Sequence, residues 1–410
     1  MGDGIGQASA MAGAGPAMAP SRGLVGSRSR RNVAVLLRVL PAVLFVLLAI
    51  AIPIGLFLFR AIDNSEVHDN LPGTIAALSD WQGLDPLKER HYEALANDLR
   101  ALGDGPRLYQ VARQLNYHMA GYRSAVLKAS EAVRKNGTGT ARTLIEGADP
   151  AWRDHAIWRV IAREAGALTP FFVLAALDLE IDEYGVRNAD PGRALYREVF
   201  SRTVWMSLLI AAACAILGYP LAYFLANSQS RLAALAIYAV LLPFWTSLLV
   251  RTLAWIVIFQ KGGVAATTGK LLGFGSTSLL YSRSAVIIGM IHVMLPFMIL
   301  SIYAVMRGIP SSYTRAAISL GASPMRAFLS VYLPQSMPGI GAGVMIVTIL
   351  SLGFYLTPAL LGSPNDQLIS YFIAYFTNEL VNWNMAAALA IWLLVFAGCL
   401  WLVVRQVGGK

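Results

Sequence analysis

Six stretches of this sequence stay uncharged, or nearly so, for long enough to cross a bilayer. At about 1.5 Å per helical residue each spans the roughly 30 Å of hydrocarbon. They run Val33 to Phe59 (with Arg38 near its start), Val204 to Ala226, Leu232 to Phe259, Ala285 to Met306, Gly339 to Leu361 and Met385 to Val404. Composition agrees, since 56% of the 410 residues are hydrophobic, 14% are charged and the mean hydropathy is +0.57. A water-facing surface cannot be built from that balance, so the chain reads as a membrane protein.

The first stretch follows Arg22, Arg28, Arg30 and Arg31, as the core of a signal peptide would. It is far longer than the roughly 7 to 15 residues of such a core, and no small-residue cleavage site follows Phe59, so it reads as an uncleaved anchor at 33–59. Residues 1–32, rich in Ala, Gly and Ser, read as a disordered tail.

The net charge of +10 is unevenly distributed. Of 23 acidic residues, 20 lie between Arg60 and Arg202, beside 18 of the 33 Lys and Arg, so that segment is close to neutral. Elsewhere 15 bases face only Asp3, Asp366 and Glu379, and the bases flank apolar stretches instead of sharing one polar face. That pattern fits a lipid bilayer and excludes nucleic acid as a partner. With the N-terminus inside, the cytoplasmic segments hold ten Lys and Arg (Arg22, Arg28, Arg30, Arg31, Arg231, Arg307, Arg315, Arg326, Arg405 and Lys410) and the short outer loops hold three, Lys261, Lys270 and Arg283. The excess of bases predicts that both termini are cytoplasmic and that the long segment at 60–202 lies outside.

That segment has the composition of a soluble domain. Leu84, Leu87, Leu95, Leu99 and Leu102 recur at helical spacing, with similar patterns from Leu108 to Arg134 and from Trp152 to Ala165, so it reads as a small, mostly helical domain. The apolar run from Phe171 to Leu177 is too short to span a bilayer and is followed by acids. Five histidines and two cysteines, Cys214 and Cys399, both inside apolar runs, supply no metal cluster, disulfide framework or thiol nucleophile. No residue is assigned a catalytic or metal-binding role.

The segment from Arg307 to Pro338 is the most informative. TRAAISL forms a helix, Gly321 ends it, Ser323 and Pro324 supply an N-cap and first helical residue, a second short helix reaches Tyr332, and Leu333-Pro334 terminates it. Here the chain resembles the membrane-spanning permease subunits of bacterial ABC importers. Their cytoplasmic signature is Glu-Ala-Ala, three residues, Gly, nine residues, then Ile-x-Leu-Pro. Arg315-Ala316-Ala317, Gly321 and Val331-Tyr332-Leu333-Pro334 keep every interval, with Arg315 in place of the acid and Val331 in place of isoleucine. Within the spans, Pro243-Phe244-Trp245-Thr246-Ser247, Val250-Arg251-Thr252, Ala254-Trp255, His292 with Leu295-Pro296-Phe297, and Thr357-Pro358-Ala359-Leu360-Leu361-Gly362 are similar to the spermidine/putrescine-type subfamily.

The resemblance implies an all-α membrane protein of the type I ABC importer permease kind. Six transmembrane helices carry a mostly helical extracytoplasmic insert at 60–202 between the first and second. A core at 203–404 holds a cytoplasmic coupling loop at 307–338, and a short tail at 405–410 follows. It further implies a bacterial inner membrane location and a small solute such as spermidine or putrescine. The implied partners are a second permease subunit, an ABC ATPase dimer and a periplasmic solute-binding protein. Small Ala316, Ala317 and Gly321, with Arg315, Ser323, Pro324, Leu333 and Pro334, would seat the coupling loop in a groove of the ATPase. The sequence has no Gly-x-x-x-x-Gly-Lys-Ser/Thr loop, so the chain is expected to hold no cofactor and to be no enzyme, with ATP and Mg on the partner ATPase.

Arg251 is the one charge well inside the later spans; it either lines the pathway or a contact with the second permease, or snorkels outward. Trp245 and Trp255 are candidate aromatic faces toward a pathway or subunit contact. Gly339 and Gly343 mark close helix packing, and His292 reads as a packing or hydrogen-bonding residue. No acid lies between Glu198 and Asp366, so a polyamine would meet no carboxylate in this chain's membrane path. An ion-coupled secondary transporter would need intramembrane acids or an inverted repeat, and neither is visible. A membrane-anchored sensor or scaffold would explain the outer domain but not the Ala-Ala-x-x-x-Gly loop.

Overall fold

The computed structural model describes residues 38–408 except 82, 84, 136–138, 183, 184, 193, 272 and 274–277. The tail at 1–32, the first residues of the anchor at 33–37, and residues 409–410 lie outside the described residues. Six helices among the described residues are long and apolar enough to cross a bilayer.

The first of these, α1 (Arg38–Phe59), is apolar on every face. A π-turn at Leu47–Ala51, closed by the Ile52 N–H on the Leu47 carbonyl, precedes Pro53. The wider turn gives the proline ring room and rearranges the hydrogen bonds that an imino acid would otherwise break.

The insert folds around its own core. Short helices α2 (Ser65–His68) and α3 (Pro72–Leu78) lead to α4 (Glu89–Leu102), α5 (Pro106–His118), α6 (Tyr122–Arg134), α7 (Ala141–Ala148) and α8 (His155–Arg163). The leucines at helical spacing are its buried face: Leu95, Leu99, Leu108 and Leu115 pack with Trp152 and Trp158. Both indoles are fully buried, so each N–H needs an acceptor. Trp152 donates to the Ala125 carbonyl at 3.0 Å and Trp158 to the Trp152 carbonyl at 3.1 Å. The insert is not wholly helical. After α9 (Phe171–Ala175), a two-stranded antiparallel hairpin pairs β1 (Leu179–Asp182) with β2 (Gly185–Asn188).

The membrane bundle comprises α10 (Tyr196–Asn227), α11 (Arg231–Leu241), α12 (Leu248–Phe259), α13 (Val264–Leu271), α14 (Arg283–Met306), α15 (Ser311–Ser319), α16 (Pro324–Leu352), α17 (Leu356–Leu361), α18 (Ile369–Asn378) and α19 (Trp383–Gly408). Its centre is α14, whose Met290, Met294, Met298 and Ile302 pack with Met206, Ile210 and Cys214 of α10 and Val347 of α16. Glycines set the approach: a Cβ on Gly339 would lie 3.1 Å from the Ile302 Cα, and one on Gly343 2.5 Å from the Met298 Sδ. Only bare glycine admits α16 so close to α14.

Several expected boundaries shift. The stretch from Leu232 to Phe259 is not one helix: a 3₁₀ turn at Leu242–Trp245 carries Pro243, and Thr246 and Ser247 turn to ψ near 140°. The apolar segment Arg231–Trp245 is therefore shorter than a span, and the spanning element runs Leu248–Leu271. Leu333-Pro334 does not terminate a helix either. A second π-turn, Phe328–Tyr332, sits just ahead of Pro334, as its counterpart does ahead of Pro53, and α16 runs through to Leu352. Gly353 then ends that span ahead of α17. At the boundaries of the core, α10 begins at Tyr196, inside the expected insert, and α19 carries helix through the expected tail to Gly408.

Insert and bundle share a core. Phe172 and Ala176 pack with Val199, Ile369, Met385 and Leu389. Trp392, nine residues into α19, donates its indole N–H to the Val173 carbonyl at 3.0 Å, and the Asn384 amide donates to the Asp63 carbonyl at 2.9 Å. The run Phe171 to Leu177, too short to span, is thus a wedge against the last membrane helix.

Candidate functional site

The 307–338 segment shows how few residues define a rigid corner. Helix α15 ends in a pair of crossed hydrogen bonds, Gly321 N–H to the Ile318 carbonyl at 2.9 Å and Ala322 N–H to the Ala317 carbonyl at 3.1 Å. This Schellman closure needs a left-handed residue, and Gly321 has φ +94°. Ser323 then caps α16, its hydroxyl accepting from the Arg326 N–H at 3.4 Å, with Pro324 at the first helical position. Arg315 and Ala316 are exposed and Ala317 half-buried, while Tyr332 is buried against Tyr223 at 5.2 Å and its hydroxyl accepts from Asn227 at 2.9 Å. Leu333 is half-buried and Pro334 exposed, inside α16.

The outer face of this corner is apolar. Tyr313, Ile318, Met325 and Leu329 are exposed, and Leu320 is 89% exposed. The sequence pattern draws attention to the small residues and misses these large ones. Their signal was available as apolar side chains on a segment too short and too basic to enter lipid. Exposed apolar side chains on a segment that also exposes Arg307, Arg315 and Arg326 are the makeup of a protein-binding surface.

Within the bundle, Arg251 and Trp255 lie one turn apart on α12, and Trp245 lies on the 3₁₀ turn before it. Arg251 lies in the first turn of α12, just after the break at Thr246-Ser247, and lines a cavity of about 180 Å³ with Phe244, Leu248, Met294, Phe297 and Phe354. Its Nε is buried and has no hydrogen-bond partner among the described residues. Trp255 is half-buried: it donates to His292 Nδ1 at 3.2 Å and stacks on Phe259 at 4.8 Å. Trp245, on the 3₁₀ turn, is 88% exposed. His292 accordingly serves as a hydrogen-bond acceptor for an indole.

Carboxylates are scarce here. Asp366 accepts from Arg283 Nε at 3.0 Å and from the Ser363 hydroxyl at 2.6 Å. Burial works to raise its pKa, but these two donors outweigh it and hold the carboxyl below its ordinary range. No group of three or more potential metal ligands occurs among the described residues.

Residues 218–406 match the family model described as "Binding-protein-dependent transport system inner membrane component". The chain is 32% identical over 225 residues to the spermidine/putrescine transport system permease protein PotB of Escherichia coli strain K12, covering 54% of this chain and 80% of that protein. It is 32% identical to the inner membrane ABC transporter permease protein YdcU of the same organism, over 48% of this chain and 69% of YdcU. It is 30% identical to the molybdenum transport system permease protein ModB of Mycobacterium bovis, over 48% and 73%. A chain in the crystal structure of a bacterial alginate ABC transporter with an alginate pentasaccharide-bound periplasmic protein is 18% identical, with a TM-score of 0.45 over 52% of this chain and 78% of that one. The insert lies ahead of the family match. With six apolar helices and a third of the residues shared over most of the length of these relatives, the chain belongs to the inner membrane permease family of binding-protein-dependent ABC transport systems.

Proposed function

We propose that this chain forms one half of the membrane channel of an ATP-driven importer for a polyamine such as spermidine or putrescine. The observation that carries the importer reading is the Arg307–Pro338 corner, a glycine-locked pair of helices presenting exposed apolar side chains at one end of the bundle. An ATPase dimer, with its own ATP and Mg, grips this corner on the cytoplasmic side. A second permease completes the channel, and a solute-binding protein delivers the polyamine from outside. Hydrolysis moves the corner as a rigid body, since the Schellman bonds and the Tyr332 anchor leave it no hinge of its own, and the two permeases rock between outward- and inward-open states.

The permease performs no bond chemistry. Both termini are cytoplasmic and the insert is extracytoplasmic, as the ten-to-three excess of bases supports. The polyamine assignment is supported by the identity to PotB. Arg251 faces a cavity in the bundle, which supports a pathway or subunit-contact role over outward snorkelling.

The test is reconstitution of this chain with a cognate second permease, ATPase and binding protein, in proteoliposomes loaded with ATP. Saturable uptake of radiolabelled spermidine or putrescine, lost without ATP, is expected. Uptake of neither, with a folded and ATP-hydrolysing complex, would refute the substrate. Failure of the chain to co-purify with any ATPase would refute the coupling.

A further inference from the structure

An importer of polycations needs carboxylates and aromatic faces somewhere along the route, and the membrane helices of this chain offer almost no acid. Both come together in a cavity of about 540 Å³ between the insert and the ends of α18 and α19. That volume lies within the range of roughly 300–1,000 Å³ usual for small-ligand pockets. Its walls include Tyr117, Phe171, Tyr196 and Phe376. Phe376 packs on Tyr196 with ring centroids 6.3 Å apart, and Tyr117 meets Phe172 edge-on at 6.0 Å, so the walls are held by one another.

Charge in the cavity sorts by partner. Asp178 is a structural group: it sits at φ +55°, and its carboxylate accepts the N–H groups of Leu195, Tyr196 and Arg197 at 2.7–2.9 Å, capping α10. Glu180 lies 3.9 Å from Arg187 on the facing strand. Arg163 spends its donors on the Ile181 carbonyl at 2.7 Å and on His118 Nδ1 at 3.1 Å, with its guanidinium over the Phe171 ring. Burial, with the Arg163 charge adding to it, pushes His118 down to about 3, so the imidazole brings no positive charge. Arg197 lies 3.8 Å from Asp178, and Arg163 3.8 Å from Glu164, so these charges are paired. Asp190 is the exposed carboxylate at the rim, with no ion pair among the described residues.

We propose that this cavity is a binding site for an organic ammonium ion with an apolar stem, the ammonium meeting Asp190 and the stem lying along the aromatic walls. An ammonium is attracted both by a carboxylate and by the faces of aromatic rings, and methylenes gain from the same surfaces. The site would hold the cation at the outer mouth, between release from the binding protein and entry to the membrane path. It rests on the polyamine reading above and adds that the insert, which lies outside the family match, takes part in recognition.

The experiment uses the purified complete transporter in nanodiscs without its binding protein, and radiolabelled spermidine as the probe. Saturable binding is expected for the parent. Asp190→Asn should weaken it about tenfold, the scale of one lost charge-assisted contact, whereas Asp190→Glu should restore it and N-acetylated amine should compete poorly. Asp190 is exposed, so thermal stability of both variants should match the parent. Absence of saturable binding by the parent, or equal binding by Asp190→Asn, overturns the site. ATP-driven spermidine uptake, measured in parallel in proteoliposomes with the binding protein present, separates the two claims: uptake without a binding effect sinks the site alone, and no uptake sinks the substrate as well.

Discussion

Replacing Gly321 tests the corner at its most constrained point. At φ +94° an L-residue is strained by about 1–2 kcal/mol, and relieving that strain breaks the two Schellman hydrogen bonds, each worth about 0.5–1.5 kcal/mol. A Cβ at this position finds no atom within 4 Å among the described residues, so the strain here is conformational and not steric. Gly321→Ala and Gly321→Leu should therefore suffer the same local loss of about 2–3 kcal/mol, with the corner misset, while Gly321→Asn, which tolerates the left-handed region, should be mild. Uptake by proteoliposomes and co-purification with the ATPase read the effect, with membrane insertion unchanged. Any loss by Leu beyond Ala then measures how closely the partner's groove approaches. Wild-type uptake by both Ala and Leu would refute the corner as the coupling element, and an Asn variant as poor as Leu would refute the conformational account.

Further expectations concern packing, protonation and topology. Gly343→Leu, which drives a side chain into Met298, should cost about 1–3 kcal/mol by overpacking and lower the melting temperature of the purified chain. Trp255→Ala should destabilise it too, through the lost His292 bond and Phe259 stack, whereas exposed Trp245→Ala should leave stability unchanged and affect transport alone. His118 has its pKa depressed to about 3, so the unfolded chain takes up its proton near pH 6.5 while the folded one does not. Its contribution to stability is therefore lost as pH falls from about 6.5 toward 3, and His118→Gln should flatten that part of the melting-temperature profile. Cysteines at exposed Ser79 and Ser124 should react with impermeant maleimide in spheroplasts and one at exposed Ser319 should not; the opposite pattern would invert the topology.

What the sequence makes legible follows the strength of local physics. Long stretches that are apolar and nearly uncharged read as membrane helices, and the intervals among Ala316, Ala317, Gly321, Ser323 and Pro324 encode a turn and a cap that the structure closes locally, with the Ile318 carbonyl and the Arg326 N–H. Proline is the point where that logic falls short. Pro243 coincides with a break while Pro53 and Pro334 are absorbed by π-turns, and the choice depends on how neighbouring residues re-satisfy the backbone: Gln335, for instance, donates its side-chain amide to the Val331 carbonyl at 3.0 Å. Tertiary pairings were not legible. Nothing in the run Phe171 to Leu177 specifies that Trp392, more than 200 residues away, will bond the Val173 carbonyl. The same is true of the cavity that brings Asp190 to Phe376.

The last prediction concerns Arg315, where an acid stands in the signature of the permeases this chain resembles. Arg307, Arg315 and Arg326 are exposed, and no acid occurs between Arg307 and Pro338, so the surface that the proposed function offers to an ATPase combines bases with exposed apolar side chains. Burying that surface against a neutral groove would leave the guanidinium groups desolvated without partners, which is costly. The groove on the cognate ATPase should therefore carry carboxylates. If Arg315 is enclosed at the contact, a double-mutant cycle with its partner acid should give a coupling of about 1.5 kcal/mol or more; at a solvated rim it should give about 1 kcal/mol or less. Arg315→Glu should then weaken co-purification and uptake although it restores the signature, and exchanging the partner acid for Lys should recover both. Lysine at 315 should rescue only in part, since a point charge cannot replace a bidentate fork. An Arg315→Glu variant that assembles and transports like the parent, at low and at physiological salt, would place this residue in solvent and leave the apolar cluster around Leu320 to hold the ATPase by itself.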